Sequence, residues 1–219
     1  TNDLINTGTI DQIRFSESGT ILNQAQILSE LLKGTSGDDW LRGYANTNDS
    51  ISGGSGNDTI KGSGDDNLIN GGTGTDTYDL SAANRAVTVT VNALSNVVVS
   101  GEAGEIGTDT LSSVEIVKTG NNYNDTILGV TNGLTVDAGD NAGGTDVDVL
   151  DLSNVSLAPL SGSDGYSVDL SNGAGFVSNK GGTVTQQLRN FENVIGTAGK
   201  DTFVGNAGAN VIDGGLESD

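Results

Sequence analysis

A nine-residue period limits this chain more than any other feature of its sequence. From Gly34 it reads GTSGDDWLR, GYANTNDSIS, GGSGNDTIK, GSGDDNLIN and GGTGTDTYD, ending at Asp79; the second unit has ten residues and the other four have nine. Gly34, Gly43, Gly53, Gly62 and Gly71 open the units, and Asp39, Asp49, Asp58, Asn67 and Asp76 hold the sixth-type position. Leu41, Ile51, Ile60, Ile69 and Tyr78 hold the eighth. The period returns as GTAGKDTFV, GNAGANVID and GGLESD, which sets Asp201, Asn210 and Asp219 nine residues apart with Phe203 and Ile212 as apolar markers. A weaker copy runs from Gly120 to Leu128 with Asp125, continues as GVTNGLTVD with Leu134 where the carboxylate belongs, and after five extra residues ends as GGTDVDVLD with Asp148. Tyr123 also replaces a fourth-position Gly there. A unit this short offers one turn and one very short strand, so its single apolar side chain is buried only by stacking on copies of itself.

The first six residues of each unit have turn chemistry: Gly accepts positive φ, and Asp or Asn can bond its own local backbone. The last three read as a strand with one inward apolar residue between two outward ones. Two units make a flattened coil, which puts each turn about 4.8 Å from the turn two units away. That spacing stacks Asp39 with Asp58, Asp58 with Asp76, Asp49 with Asn67, and Asp201 with Asp219. Two unit charges so placed repel by about 0.9 kcal/mol in water and about 3.5 kcal/mol at an effective dielectric near 20. A divalent cation between turns reverses the sign, with carboxylates and Gly carbonyls as ligands; calcium suits such an oxygen cage better than magnesium, which demands tight octahedral geometry. Metal-free carboxylates that merely end strands are the competing reading. Extracellular calcium modules have dissociation constants of roughly 10⁻⁴ to 10⁻³ M, so such sites would be empty in cytosol and filled outside.

Composition points the same way. The chain has 219 residues, 22 Asp and 7 Glu against 9 Lys and Arg, a net charge of −20, 34 Gly and one Pro. It has no His and no Cys. Imidazole bases, thiol nucleophiles, disulfides and His or Cys zinc sites are thereby excluded, and a switch is expected to answer to calcium and hardly to pH between 6 and 8. The nine basic residues read as scattered (Arg14, Lys33, Arg42, Lys61, Arg85, Lys118, Lys180, Arg189, Lys200), which argues against nucleic acid and against a lyase acting on polyanionic sugars. No apolar run reaches membrane-spanning length, so no membrane insertion is expected of this segment. The start at Thr1, without Met or an apolar leader, suggests a processed or excised piece.

The unit resembles the repeats-in-toxin (RTX) haemolysin-type calcium-binding nonapeptide G-G-x-G-x-D-x-U-x, with U a large apolar residue. GGSGNDTIK at 53–61 and GGTGTDTYD at 71–79 match every specified position. The resemblance implies an all-β, right-handed parallel β-roll or β-solenoid binding several calcium ions. Its expected ligands are Asp39, Asp49, Asp58, Asn67, Asp76, Asp125, Asp148, Asp201 and Asp219, with carbonyls near Gly34, Gly37, Gly53, Gly56, Gly71, Gly74, Gly196, Gly199 and Gly214. It also implies a non-enzymatic segment of a larger bacterial protein exported by type I secretion, folding outside the cell and supporting neighbouring domains. An adhesive module that binds polysaccharide, or stacks end to end through the strand edges left open at Asp219, is the alternative.

The expected organisation is an N-terminal cap over 1–33, a first array over 34–79, wider β coils over 80–119, a degenerate repeat section over 120–151, a second copy of the wider coils over 152–195 and a truncated array over 196–219. The two coil segments read as copies. Each starts Asp-Leu-Ser, at 79–81 and 151–153, then has an alternating strand (Val87–Val91, Tyr166–Leu170), and ends Leu-x-x-φ-Glu, at Leu111–Glu115 and Leu188–Glu192. Glu115 and Glu192 therefore read as structural equivalents and not as a glycosidase-type acid and base. Within the cap, Asp11–Phe15 reads as a strand and 20–33 as a helix capped by Thr20 with Ile27, Leu28, Leu31 and Leu32 on one face, lying across the first coil. Trp40, at an outward strand position, is expected to pack under that helix, with a carbohydrate platform as its alternative.

Overall fold

The computed structural model describes residues 12–92, 96–101, 106–120, 122–139, 146–156, 164–171, 175–180, 182 and 184–219. Asp11 of the expected first strand lies outside them. Strands β1 (Gln12–Arg14) and β2 (Ile21–Asn23) form an antiparallel hairpin, and α1 (Gln24–Leu31) follows directly. The cap is Asn23, not Thr20. The Asn23 side chain accepts from the Gln26 N–H and the Gln26 side chain from the Asn23 N–H, both at 2.9 Å. Ile21 and Leu22 are committed to the hairpin, so the helix starts only where an Asn can close its first turn. No residue of α1 is buried; Leu32, just beyond it, enters the core. The Leu32 carbonyl accepts from the Ser52 N–H at 3.0 Å, and the Gly34 N–H donates to the Ser52 carbonyl at 2.7 Å. An extended segment, rather than the helix expected to do so, thus pairs with the exposed strand edge at Ser52.

From Trp40 onward the chain builds two facing sheets. Its strands are β3 (Trp40–Arg42), β4 (Ser50–Ser55), β5 (Thr59–Lys61), β6 (Leu68–Thr73), β7 (Thr77–Asp79) and β8 (Thr88–Val91). Then come β9 (Val97–Ser100), β10 (Thr108–Ser112), β11 (Ile116–Lys118), β12 (Thr126–Leu128), β13 (Thr135–Asp137) and β14 (Val149–Asp151). The last are β15 (Asp164–Asp169), β16 (Gly175–Asn179), β17 (Thr185–Arg189), β18 (Asn193–Ile195), β19 (Lys200–Val204) and β20 (Ile212–Asp213). One nine-stranded sheet has the order β4-β6-β10-β9-β8-β12-β14-β18-β20, the other β3-β5-β7-β11-β13-β17-β16-β15-β19. The fold is an all-β parallel β-roll. In-register parallel pairing lines up the eighth-position side chains: Leu41, Ile60, Tyr78, Val117, Val136 and Leu188 on one sheet, Val89, Ile127, Leu150 and Val194 on the other. All are buried, each between two half-buried neighbours in the three-residue strands of the stack's middle, as the one-in, two-out reading expects. Trp40 is 62% exposed, and α1 packs on β1 and β2, so Trp40 is not covered by the helix.

The stretches expected as wider coils gain their width in a specific way. Each contributes an antiparallel three-stranded meander, β8-β9-β10 in one sheet and β15-β16-β17 in the other. β-branched alternation such as Val87-Thr88-Val89-Thr90-Val91 suits strands long enough to pair this way. The meander's last strand rejoins the parallel stack, β10 on β6 and β17 on β13, and its first strand starts the next section, β8 under β12 and β15 beside β19.

The duplication is a repeat of seven strands, with β7–β13 recurring as β14–β20. Local bonds recur with it: the Ser81 N–H to Asp79 at 2.9 Å matches the Ser153 N–H to Asp151 at 2.8 Å. Ser113 (φ 49) and Asn190 (φ 62) take the same left-handed turn just before Glu115 and Glu192. Seven is odd and successive sections alternate sheets, so the second copy starts on the opposite sheet. The first meander widens one sheet and the second widens the other, which leaves both with nine strands.

Leu150 is fully buried in the middle of one apolar row. Leu150→Ala should lower unfolding free energy by about 2 to 5 kcal/mol. Chemical denaturation with calcium present measures this, and a loss under about 1 kcal/mol would mean that the rows do not form one core.

Candidate metal centre

The sixth-position residues form two ladders along the turns. The Asp39 N–H donates to Asp58 Oδ1 and the Asp58 N–H to Asp76 Oδ1, both at 2.8 Å, and the Asp76 N–H to Glu115 Oε2 at 2.8 Å. On the other side the Asp49 N–H reaches Asn67 Oδ1 at 3.0 Å and the Asn67 N–H reaches Asp109 Oδ1 at 2.9 Å. Later rungs repeat the bond: Val87 to Asp125 at 2.6 Å, Asp125 to Asp148 at 2.7 Å and Asp148 to Glu192 at 2.9 Å. Tyr166 to Asp201 at 2.6 Å and Asp201 to Asp219 at 2.8 Å complete the set. The four pairs read from the spacing are neighbours in the structure. Glu115 and Glu192 hold equivalent places, each receiving the N–H of the last Asp below it.

Fifth-position residues, which the sequence reading passed over, bond in the opposite direction. The Asn57 N–H donates to Asp38 Oδ1 at 2.7 Å, Thr75 to Asn57 Oδ1 at 2.9 Å and Thr108 to Asp66 Oδ1 at 2.8 Å. The recurrent DD, ND and DN pairs at positions five and six were the available signal.

Second-position chemistry sorts the turns into two kinds. Where it is Thr35, Tyr44 or Thr197, that residue's N–H closes on the Oδ2 of its own Asp, at 2.5 Å to Asp39, 2.6 Å to Asp49 and 2.6 Å to Asp201. In the two Gly-Gly turns of the first array, Gly54 (φ 101) and Gly72 (φ 110) are left-handed. There, Asp58 Oδ2 and Asp76 Oδ2 are buried without a hydrogen-bond partner, and so is Asp125 Oδ2. A β-carbon on Gly53 would collide with Asp58 Oδ2 and the Gly71 carbonyl oxygen, and one on Gly71 with Asp76 Oδ2 and the Ser113 carbonyl. Each Gly therefore keeps open a space faced by a carboxylate and a carbonyl oxygen from the next turn. Gly196 repeats this with Asp201 Oδ2 and the Gly214 carbonyl. Among the described residues no three acidic side chains converge on one point, so an ion here relies on carbonyl oxygens beside its carboxylates. An all-oxygen, partly unpartnered, anionic donor set fits a hard divalent cation such as calcium.

Burial drives the electrostatics. It pushes the Asp109 and Asp125 carboxyls up to about 6, and Asp148 up to about 8 with Asp125, Glu192 and Asp146 adding like charge. Asp76 is raised too, by burial and then by Asp58 and Glu115. Without a cation Asp109, Asp125 and Asp148 titrate at about 6 to about 8, which corrects the expectation that a chain lacking His is insensitive there. The basic residues are also less scattered than they read. Arg42, Lys61, Lys118 and Arg189 share one row on the outer sheet face with Asp79 and Asp137, and Lys61 Nζ lies 3.3 Å from Asp79.

Two further sixth-position residues were missed. GEIGTDTLS at 104–112 is a nonapeptide inside a stretch read as free of them, and it puts the buried Asp109 above Asn67. GGTVTQQLR at 181–189 does the same with the neutral Gln186, above Leu134. Spacing alone could have found both. Asn67 occupies its expected rung, but its Oδ1 accepts from Asp49, and its Nδ2 donates to the Asp65 carbonyl at 2.8 Å and to Asp109 at 2.7 Å. Asp219 is exposed.

A family model for the RTX calcium-binding nonapeptide repeat, in four copies, matches residues 28–47, 45–78 and 191–219. The chain carries RTX calcium-binding nonapeptide repeats. A comparison with curated proteins gives no match. The matched RTX segments hold the Asp39–Asp58–Asp76 and Asp201–Asp219 rungs, and the meanders lie in the unmatched stretch between them. Among the described residues no helix is long and apolar enough to cross a membrane.

The pH response in excess chelator follows from these carboxyls. Their folded pKa values of about 6 to about 8 exceed the unfolded value near 3.9, so the folded state holds more protons and its stability falls as pH rises from about 4 to about 8. The chelated chain should show more β signal by circular dichroism at pH 5 than at pH 8; equal or reversed signals would contradict this.

Proposed function

We propose that this chain is a calcium-driven folding module: a non-enzymatic RTX segment of a larger secreted bacterial protein. It passes through type I secretion unfolded at low cellular calcium, folds outside the cell or at its surface, and stabilises or presents neighbouring domains. The observation that carries the reading is the set of buried, unpartnered carboxylate oxygens on Asp58 and Asp76, stacked one rung apart, and on Asp125 in the other ladder. Left as they are, they oppose folding; with calcium between rungs they become ligands. The ions lie between turns, held by Asp39, Asp49, Asp58, Asp76, Asp125, Asp148, Asp201 and Asp219, with carbonyls around Gly34, Gly37, Gly53, Gly56, Gly71, Gly74, Gly196, Gly199 and Gly214. The six sections outlined from the sequence then divide into calcium-binding arrays at 34–79, 120–151 and 196–219, a cap at 1–33, and meanders in 80–119 and 152–195 that need no ion.

Circular dichroism through a calcium titration tests this. The unaltered chain should pass from disordered to β-rich, and Asp58→Ala should raise the midpoint by about 10-fold or more, equivalent to about 1.4 kcal/mol. Full β signal in chelator, with no change in melting on calcium addition, would defeat it. Gly53→Ala, which removes no ligand side chain but fills the space beside Asp58 Oδ2, should raise the midpoint by a comparable factor.

End-to-end stacking is a second reading, favoured by the exposed Val211, Ile212 and Leu216 on the last coil. Sedimentation in calcium decides it: a concentration-dependent series of species is expected if coils stack, and a monomer at all concentrations rules it out.

A further inference from the structure

The rung formed by Asn67 and Asp109 differs from the other rungs described above in the group that closes it, a phenol from the facing sheet instead of a backbone N–H. Asp109 is fully buried, yet both its oxygens are satisfied: Oδ1 accepts from the Asn67 N–H at 2.9 Å and from Asn67 Nδ2 at 2.7 Å, and Oδ2 accepts from the Tyr78 hydroxyl. Tyr78 belongs to the facing sheet and is itself fully buried, so its phenol crosses the core to reach the carboxylate. A β-carbon on Gly62 would collide with the Tyr78 hydroxyl oxygen and lie 2.6 Å from Asp109 Oδ2. At Gly53 the corresponding space is faced by Asp58 Oδ2 and a carbonyl. The phenol oxygen thus stands where the Gly53 and Gly71 turns present only a carboxylate and a carbonyl oxygen.

The duplicated half supplies an internal control. With the seven-strand repeat extended one strand back, so that β6 matches β13, Asn67, Tyr78 and Asp109 correspond to Leu134, Leu150 and Gln186, so amide, hydroxyl and carboxylate are replaced together. Had Asp109 been serving a cation with Asn67, Tyr78 would have no reason to change with them. We propose that the Asn67–Asp109 rung takes no calcium and is closed instead by the Tyr78 hydroxyl, a metal-free latch that ties the first meander to the first array across the core. This rests on the calcium reading of the other rungs. It confines calcium on that side of the first array to rungs below Asn67, and it places one rung of fixed geometry at the junction with the meander.

The test is the number of calcium ions bound by the full 219-residue chain, folded in saturating calcium and measured by equilibrium dialysis. Asp109→Asn should bind as many ions as the unaltered chain, and Asp58→Asn fewer. Fewer ions in both variants would make Asp109 a ligand and overturn the latch while leaving the calcium reading intact. An unchanged count in Asp58→Asn would remove the calcium reading and the latch with it. The paired change Asn67→Asp with Tyr78→Phe keeps Asp109, restores an acidic rung and removes the phenol oxygen. It should bind one ion more than the unaltered chain; no gain would overturn the latch, and this variant decides the matter if Asp109→Asn does not fold.

Discussion

The sixth-position carboxylate has two consequences that pull against each other. Its Oδ1 satisfies the N–H of the rung below, as at Asp58 and Asp76, which fixes the register of every turn on the next. The same arrangement brings buried negative charges within one strand spacing, and in the Gly-Gly turns it leaves Oδ2 with no donor at all. A buried, unpaired carboxylate is among the costliest groups a fold can contain. Backbone N–H groups alone therefore hold the geometry without balancing the charge; protonation relieves it at low pH, as the raised carboxyls report, and a cation between rungs is the compensation proposed at neutral pH. Rungs with Thr or Tyr at the second position show the milder case, in which one more N–H closes on Oδ2.

The meanders solve a different problem. Between the arrays the ladder reaches Glu115, Leu134 and Gln186 on one side and Val87 on the other, where carboxylate–cation stacking cannot continue unbroken. Ordinary β physics takes over there, with Val89 facing Val99 and Val168 facing Val177 in antiparallel register. Because the repeat unit contains an odd number of strands, the two insertions fall on opposite sheets and the stack stays level. Asp79 and Asp151, each bonding the N–H two residues on, mark the point in each copy at which the chain leaves the regular array.

The parallel stack, its inward row and the rung partners were legible because the nonapeptide marks them in three ways at once. Repetition was also the limit of what could be read. Antiparallel return of β9 and β16 depends on which strand edge is free after β7 and β14, and no local signal states that. Asp109 went unseen because GEIGTDTLS stands alone, with no neighbouring unit in phase, in a segment dominated by valine and threonine alternation. The helix start moved from Thr20 to Asn23 because hairpin pairing claimed the residues between. Trp40 misled for a related reason: its outward position was read correctly, but what covers an outward position is a tertiary question. The pH response was misjudged by attending to histidine alone, since burial brings aspartates into the same range.

The central claim is that calcium sits between stacked turns beside the orphaned carboxylate oxygens. Anomalous diffraction from crystals grown with calcium tests it most directly. The account predicts an anomalous peak between the 53–58 and 71–76 turns, at about 2.3 to 2.6 Å from Asp58 Oδ2. A folded chain in saturating calcium with no peak there, and with Asp58 Oδ2 bonded only to water or protein donors, would contradict it.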